Sequence, residues 1–205
     1  MVMKKVIVTQ RFSKDKKTNE IRDALDIRMT RFLLSLNILP ILVPNSFGEK
    51  SEVFTKHFVN KIKPDGLILT GGEDFGKNKS RDKVENLLLK HFKKERKPIL
   101  GICRGMQNLS IFFGSKLKKI KNHVKVRHNC EFHTDDKYFP KSIKCFHNFT
   151  IDKCPKNFVI TVKSKDGSIE AIKHNKYKWE GWMWHPERDY PFSKILKKRT
   201  IKIFK

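Results

Sequence analysis

The chain has 205 residues, of which 38% are hydrophobic and 33% charged, and it carries a formal net charge of +25. That length fits one well-packed domain spanning 1–205, and the compact apolar runs point to a folded chain under a lysine-rich coat rather than to disorder. No run of about 18 apolar residues occurs, and the apolar stretch behind Lys4-Lys5 is too short for a signal-peptide core. This excludes a helical membrane span and makes a soluble, cytoplasmic protein the expectation.

In chain order, Val6–Thr9 is a β-branched run and reads as a strand, the amphipathic stretch 20–36 as a helix, and 38–43 as a second strand. Pro40 and Pro44 make that second strand short and place it near a sheet edge, because proline cannot donate to a ladder. A helix over 52–61 and a turn at Pro64-Asp65-Gly66 lead to the apolar strand 67–70, which stops at Gly71-Gly72. Leucines at helical spacing predict a helix over 82–94. Pro98 ends it, and Ile99-Leu100-Gly101-Ile102 is another apolar strand, followed by a helix over 106–113.

This alternation predicts an α/β fold: a mostly parallel central sheet with helices on both faces, whose ligands bind at the carboxyl ends of the strands. Beyond Lys118 the pattern changes to short segments, 142–151, 158–164 and 169–173, that predict a smaller antiparallel or mixed region. Asp166-Gly167 marks a hairpin between the last two. Residues 181–184 read as strand-like, and 194–205, where Ile201, Ile203 and Phe204 are interspersed with lysine, as a half-buried terminal strand.

The sharpest chemical signal is Gly101-Ile102-Cys103-Arg104-Gly105, between a buried strand and a helix start. Such a turn presents a nucleophile at the sheet edge, and the helix N-terminus favours thiolate over thiol. His185, two residues before Glu187, supplies a base whose tautomer a carboxylate can fix. Cys103, Cys130, Cys145 and Cys154 read as free thiols. A zinc site built from Cys130, His133, Cys145, His147 and Cys154 is not expected, since the spacings are irregular and no C-x-x-C pair occurs.

Taken together, Leu67-Ile68-Leu69-Thr70-Gly71-Gly72-Glu73-Asp74, Arg81-Asp82 with Glu85, Pro98 to Gln107, Asp166-Gly167-Ser168-Ile169-Glu170-Ala171-Ile172 and Trp184-His185-Pro186-Glu187 resemble the class I glutamine amidotransferases, and among them the free-standing γ-glutamyl hydrolases. The resemblance covers nearly the whole chain. It implies a flavodoxin-like amidotransferase fold, Cys103 as nucleophile, His185 as acid and base, and Glu187 as its orienter. It also implies an oxyanion hole from the backbone N–H groups of Gly72 and Arg104, and glutamyl contacts from Gly71, Gln107, Cys145, Phe146 and His147. This chain continues with Asn148-Phe149 where the family has His-Gln. The implied reaction cleaves a γ-glutamyl amide through a thioester and needs no metal or organic cofactor.

Lys77 and Lys79 in the short loop after Gly72, with Arg11 after the first strand and Arg104 beside the cysteine, offer an electropositive rim. Such a rim suits a small-molecule γ-glutamyl amide with a phosphorylated or nucleotide-bearing leaving group better than ammonia or γ-aminobutyrate. Two other readings fit the residues: a glutaminase subunit feeding ammonia to a separate synthetase partner, and a basic nucleic-acid-binding protein on a degenerate amidotransferase fold. No nucleic-acid role is expected, because the lysines are spread along the chain rather than gathered on one element.

Overall fold

The computed structural model describes residues 2–50, 52–134 and 139–205. Strand β1 (Lys4–Val8) is followed by a hairpin of β2 (Arg11–Lys14) and β3 (Ile21–Ala24), then helix α1 (Ile27–Leu34), β4 (Ile38–Leu42), α2 (Phe47–Lys50), α3 (Glu52–Ile62), β5 (Gly66–Leu69), α4 (Lys79–Glu95), β6 (Ile99–Ile102) and α5 (Arg104–Phe112). The second half holds β7 (Leu117–Lys119), β8 (Val124–Phe132), β9 (Ser142–Phe146), β10 (Phe149–Ile151), β11 (Phe158–Ser164), β12 (Ile169–His174), β13 (Trp179–Trp182) and the closing helix α6 (Lys194–Phe204).

Among the described residues, a nine-stranded sheet runs in the order β4-β1-β5-β6-β13-β12-β11-β8-β9. Neighbours from β4 to β13 pair in parallel, and those from β13 to β9 antiparallel. The antiparallel strands β12, β11, β8 and β9 therefore continue the main sheet, while β7 and β10 form a separate two-stranded antiparallel pair. The proline-bearing β4 lies at its edge, as its sequence requires.

Alternation along each strand divides the core in two. Val6, Val8, Ile68, Leu100, Ile102 and Trp182 face one way, onto Phe32 and Leu33 of α1 and Leu196 and Phe204 of α6. Ile7, Leu67, Leu69 and Ile99 face the other, onto Val59 of α3, Leu88 and Phe92 of α4, and Leu109 of α5. Helices thus cover both faces.

Two expectations are corrected. The helix over 20–36 is shorter: residues 21–24 pair with β2, and Asp26 caps α1 by accepting from the Arg28 N–H at 3.0 Å. The acceptor side chain at Asp26 fixes where the helix starts, whereas amphipathic spacing alone ran through it. The terminal stretch is a helix rather than a strand. Ser193 caps it, and Leu196, Thr200, Ile203 and Phe204 are buried at helical spacing, while the alternating lysines that suggested a strand lie among good helix formers. The β8 strand and the β2–β3 hairpin had no counterpart in the sequence reading, because mostly exposed strands lack an apolar face to betray them.

Candidate active site

The sequence between β6 and α5 makes the turn that presents Cys103. At the N-cap of α5, Cys103 adopts φ 52° and ψ −112°, a region that costs a non-glycine residue on the order of 1–3 kcal/mol. Its backbone N–H donates to the Trp182 carbonyl at 2.7 Å, and β6 pairs with β13 in register through Ile102 and Trp182, so the neighbouring strand holds the strained turn. Gly105 permits the tight crossing of α5 over β5, since a Cβ there would stand 2.0 Å from the Leu69 carbonyl oxygen.

Three residues beyond β13, His185 closes the site. Its Nδ1 lies 2.7 Å from Glu187 Oε1, and the ring also shares a hydrogen bond with the Cys103 sulfur. Cys103, His185 and Glu187 are 6%, 6% and 3% exposed, so the line of three polar groups is shielded from solvent and its internal interactions are strong. Burial pulls the imidazole down. The charge and hydrogen bond of Cys103, then those of Glu187, outweigh it and carry His185 up to about 9. At neutral pH the imidazole is therefore protonated.

A cavity of about 330 Å³ opens over this line, walled by Gly71, Gly72, Phe146, Arg11, Arg188 and the start of α1. The Phe146 ring meets the His185 ring edge-on at 5.9 Å, and the Arg188 guanidinium lies 4.4 Å over the Phe146 face. Asp26 and Glu73, acids of the same wall, are held by Arg28 at 2.6 Å and Arg81 at 2.9 Å.

Beneath the Gly71-Gly72 loop lies a buried ionic brace. Glu85 accepts from Arg81 Nε at 2.9 Å, Arg104 Nη1 at 2.5 Å and Asn108 Nδ2 at 2.6 Å. Arg81 also donates to the carbonyls of Thr70 at 2.8 Å and Gly71 at 3.1 Å, and Arg104 pairs with Asp82. One carboxylate on α4 thereby links the loop after β5 to the first turn of α5.

The sequence-derived candidates divide clearly. Cys103, His185, Glu187, Gly71, Gly72, Phe146 and Arg11 all line the cavity. The Arg104 side chain points into the brace, which removes it as a leaving-group contact. Lys77 and Lys79 are not among the cavity's lining residues, and Lys79 lines a separate surface hollow on α4. Gln107 is buried with its amide donating to the Phe149 carbonyl at 2.9 Å, and Cys145 and His147 turn away from the cavity toward Glu170. Arg188 escaped the sequence reading although it directly follows Glu187; its proximity to the expected base was the available signal.

The class-I glutamine amidotransferase sequence profile matches residues 22–200. The chain belongs to the class I glutamine amidotransferases. It is 31% identical over 197 residues to the γ-glutamyl-CDP-amidate hydrolase of Campylobacter jejuni subsp. jejuni serotype O:2, covering 92% of each chain. It is 28% identical over 165 residues to one subunit of the glutamine-hydrolysing GMP synthase of Pyrococcus abyssi, covering 78% of this chain and 82% of that one. In shape it matches the crystal structure of a glutamine amidotransferase from Thermotoga maritima, with TM-score 0.67, 19% identity, and 98% and 82% of the two chains covered. As a class I amidotransferase it is a cysteine-based amide hydrolase, and the fold agrees with the expected mostly parallel sheet flanked by helices. Among the described residues no helix is long and apolar enough to cross a membrane.

Proposed function

We propose that this amidotransferase hydrolyses the γ-glutamyl amide of γ-glutamyl-CDP-amidate, releasing glutamate and cytidine diphosphoramidate for capsule modification. The observation that carries the reading is the Cys103–His185–Glu187 line at the floor of a cavity whose wall includes Arg11 and Arg188. The match in length and sequence to the Campylobacter hydrolase supports the choice of leaving group.

The Cys103 thiolate attacks the γ-carbonyl carbon. Backbone N–H groups of Gly72 and Arg104 receive the developing oxyanion, where preorganised donors stabilise charge without reorganisation. The His185 imidazolium delivers its proton to the departing nitrogen, and a γ-glutamyl thioester remains on the sulfur. Neutral His185 then takes a proton from water, whose oxygen attacks the thioester and frees glutamate. Glu187 holds the ring through Nδ1, so Nε2 stays directed at the chemistry in both halves. Arg11 and Arg188 engage the diphosphate of the leaving group, for which guanidinium geometry is well suited. No metal or organic cofactor takes part in these steps.

The similarity to the Pyrococcus GMP synthase chain favours a second reading, in which glutamine is the substrate and ammonia passes to a synthetase partner. Turnover of γ-glutamyl-CDP-amidate, γ-glutamyl-γ-aminobutyrate and glutamine by the purified protein, beside Cys103→Ser, separates the two. The proposal expects the highest kcat/KM on the phosphoramidate and none in the variant. A preference for glutamine that rises on adding a synthetase would replace it with the second reading.

A further inference from the structure

We infer that His123, Cys145, His147 and Glu170 bind a zinc-class divalent metal ion outside the catalytic line. Their four donor atoms lie within 4.8 Å of one another, and all four residues are buried. Cys145 and His147 belong, with Cys130, His133 and Cys154, to a set whose irregular spacing gives no zinc signature in the sequence. The fold instead supplies His123 from the turn before β8 and Glu170 from β12, two residues whose positions in the chain give no ligand spacing.

The hydrogen bonds around the cluster dictate what faces its centre. His147 Nδ1 lies 3.0 Å from the Phe149 carbonyl, which can only accept, so Nδ1 carries the proton and Nε2 presents its lone pair. His123 Nε2 lies 2.8 Å from Asp166 Oδ2, on a carboxylate that also accepts from the Ser164 hydroxyl at 2.7 Å and the Ser168 N–H at 3.0 Å. That nitrogen is therefore the donor, and His123 Nδ1 turns inward. The two inward nitrogens stand 3.3 Å apart, with Glu170 Oε1 3.3 Å from one and Oε2 3.6 Å from the other. Cys145 Sγ lies 3.7 Å from Glu170 Oε2. Two imidazole nitrogens, a buried carboxylate and a thiol converge on one point, a donor set whose mutual repulsion a bound cation relieves.

Tetrahedral zinc, with bonds of about 2.0–2.3 Å, sets neighbouring donors roughly 3.3–3.6 Å apart. With Glu170 Oε2 as the carboxylate ligand, three of the separations already fall at 3.3–3.7 Å, and the wider ones close by about an ångström on ligation. Both histidines carry the outer hydrogen bond, one to a carboxylate and one to a backbone carbonyl, that orients a ligating imidazole and fixes its tautomer. A donor set of two imidazoles, one thiolate and one carboxylate selects zinc-like ions over magnesium or calcium. On binding, Cys145 loses its thiol proton to solvent and the sulfur donates to the metal.

Four protein ligands make a closed, structural site. It ties β9 to β12, and it brackets Phe146, the residue between Cys145 and His147, whose ring lies against His185. A bound ion would therefore hold one wall of the substrate cavity in place.

Protein produced with zinc in the medium and purified without chelator is expected to hold about one zinc per chain by elemental analysis, as is Cys103→Ser, while His123→Ala and Cys145→Ser lose it. Because those variants can misfold, the deciding measurement uses the wild-type chain. Metal-stripped protein titrated with Co²⁺ is expected to saturate at about one equivalent with tetrahedral d–d bands and a sulfur-to-cobalt charge-transfer band, and zinc is expected to raise its Tm. Three results overturn the inference: wild type metal-free after equilibration with zinc, with Tm unmoved, as a proton shared by the two histidines would give; a cobalt spectrum without the charge-transfer band; or binding that vanishes in Cys103→Ser and survives in Cys145→Ser.

Discussion

Replacing Glu85 with glutamine removes one negative charge from the brace and changes almost nothing else in shape. Glu85 is fully buried between Arg81 and Arg104, and the variant leaves two guanidinium groups facing a neutral amide. Burial alone would raise the Glu85 carboxyl, but the charges and hydrogen bonds of Arg81 and Arg104 carry it from 4.5 down to about 2. A difference of that size corresponds to about 3 kcal/mol between its two protonation states, within the range of about 3–5 kcal/mol for breaking a buried pair. Because the folded value is depressed, this stability is present above the unfolded value of 4.5 and disappears as pH falls toward about 2.

Urea unfolding of wild type and Glu85→Gln at several pH values measures this directly. We expect a gap of about 3 kcal/mol at neutral pH, equivalent to roughly 6–12 °C in Tm, that narrows steadily below pH ~4.5. Turnover should fall as well, since Arg81 also holds the Gly71 carbonyl. A gap under about 1 kcal/mol at neutral pH, or one that does not change on acidification, would refute the idea that this carboxylate is what binds the loop to α5.

The proposed catalytic roles of Cys103, His185 and Glu187 carry further predictions. With His185 raised to about 9, the alkaline limb of the kcat/KM profile should fall near that pH, and Glu187→Gln should move it downward by removing a carboxylate that favours the imidazolium. An unmoved limb would show that another group sets it. Gly71→Ala would put a Cβ 2.6 Å from His185 Cε1, so kcat should drop on the order of a hundredfold while urea unfolding changes little. Near-normal kcat would mean the ring moves freely. Arg188→Ala and Arg11→Ala should raise KM for γ-glutamyl-CDP-amidate about tenfold or more and leave KM for γ-glutamyl-γ-aminobutyrate nearly unchanged. Equal losses on both substrates would place these arginines at the glutamyl end.

Local sequence determined whatever depends on neighbours in the chain. The buried strands 67–69 and 99–102, the elbow at Cys103, the Asp166-Gly167 hairpin and the pairing of His185 with Glu187 two residues on all follow from short-range rules of apolar runs, turn residues and helix caps. Mostly exposed β8 and the start of α1 were not visible in the same way, because no apolar period marks the first and one capping side chain decides the second.

Only the tertiary structure decided which distant groups meet. It turned the Arg104 side chain from the cavity to Glu85, left Lys77 and Lys79 outside the cavity wall, brought Arg188 onto Phe146, and gathered His123 with Glu170 across 47 positions. Charge and donor type are written in the residues. Their direction and company depend on strand order and on where buried polar groups must find partners, and the register of a nine-stranded sheet fixes those contacts between segments that no sequence spacing relates.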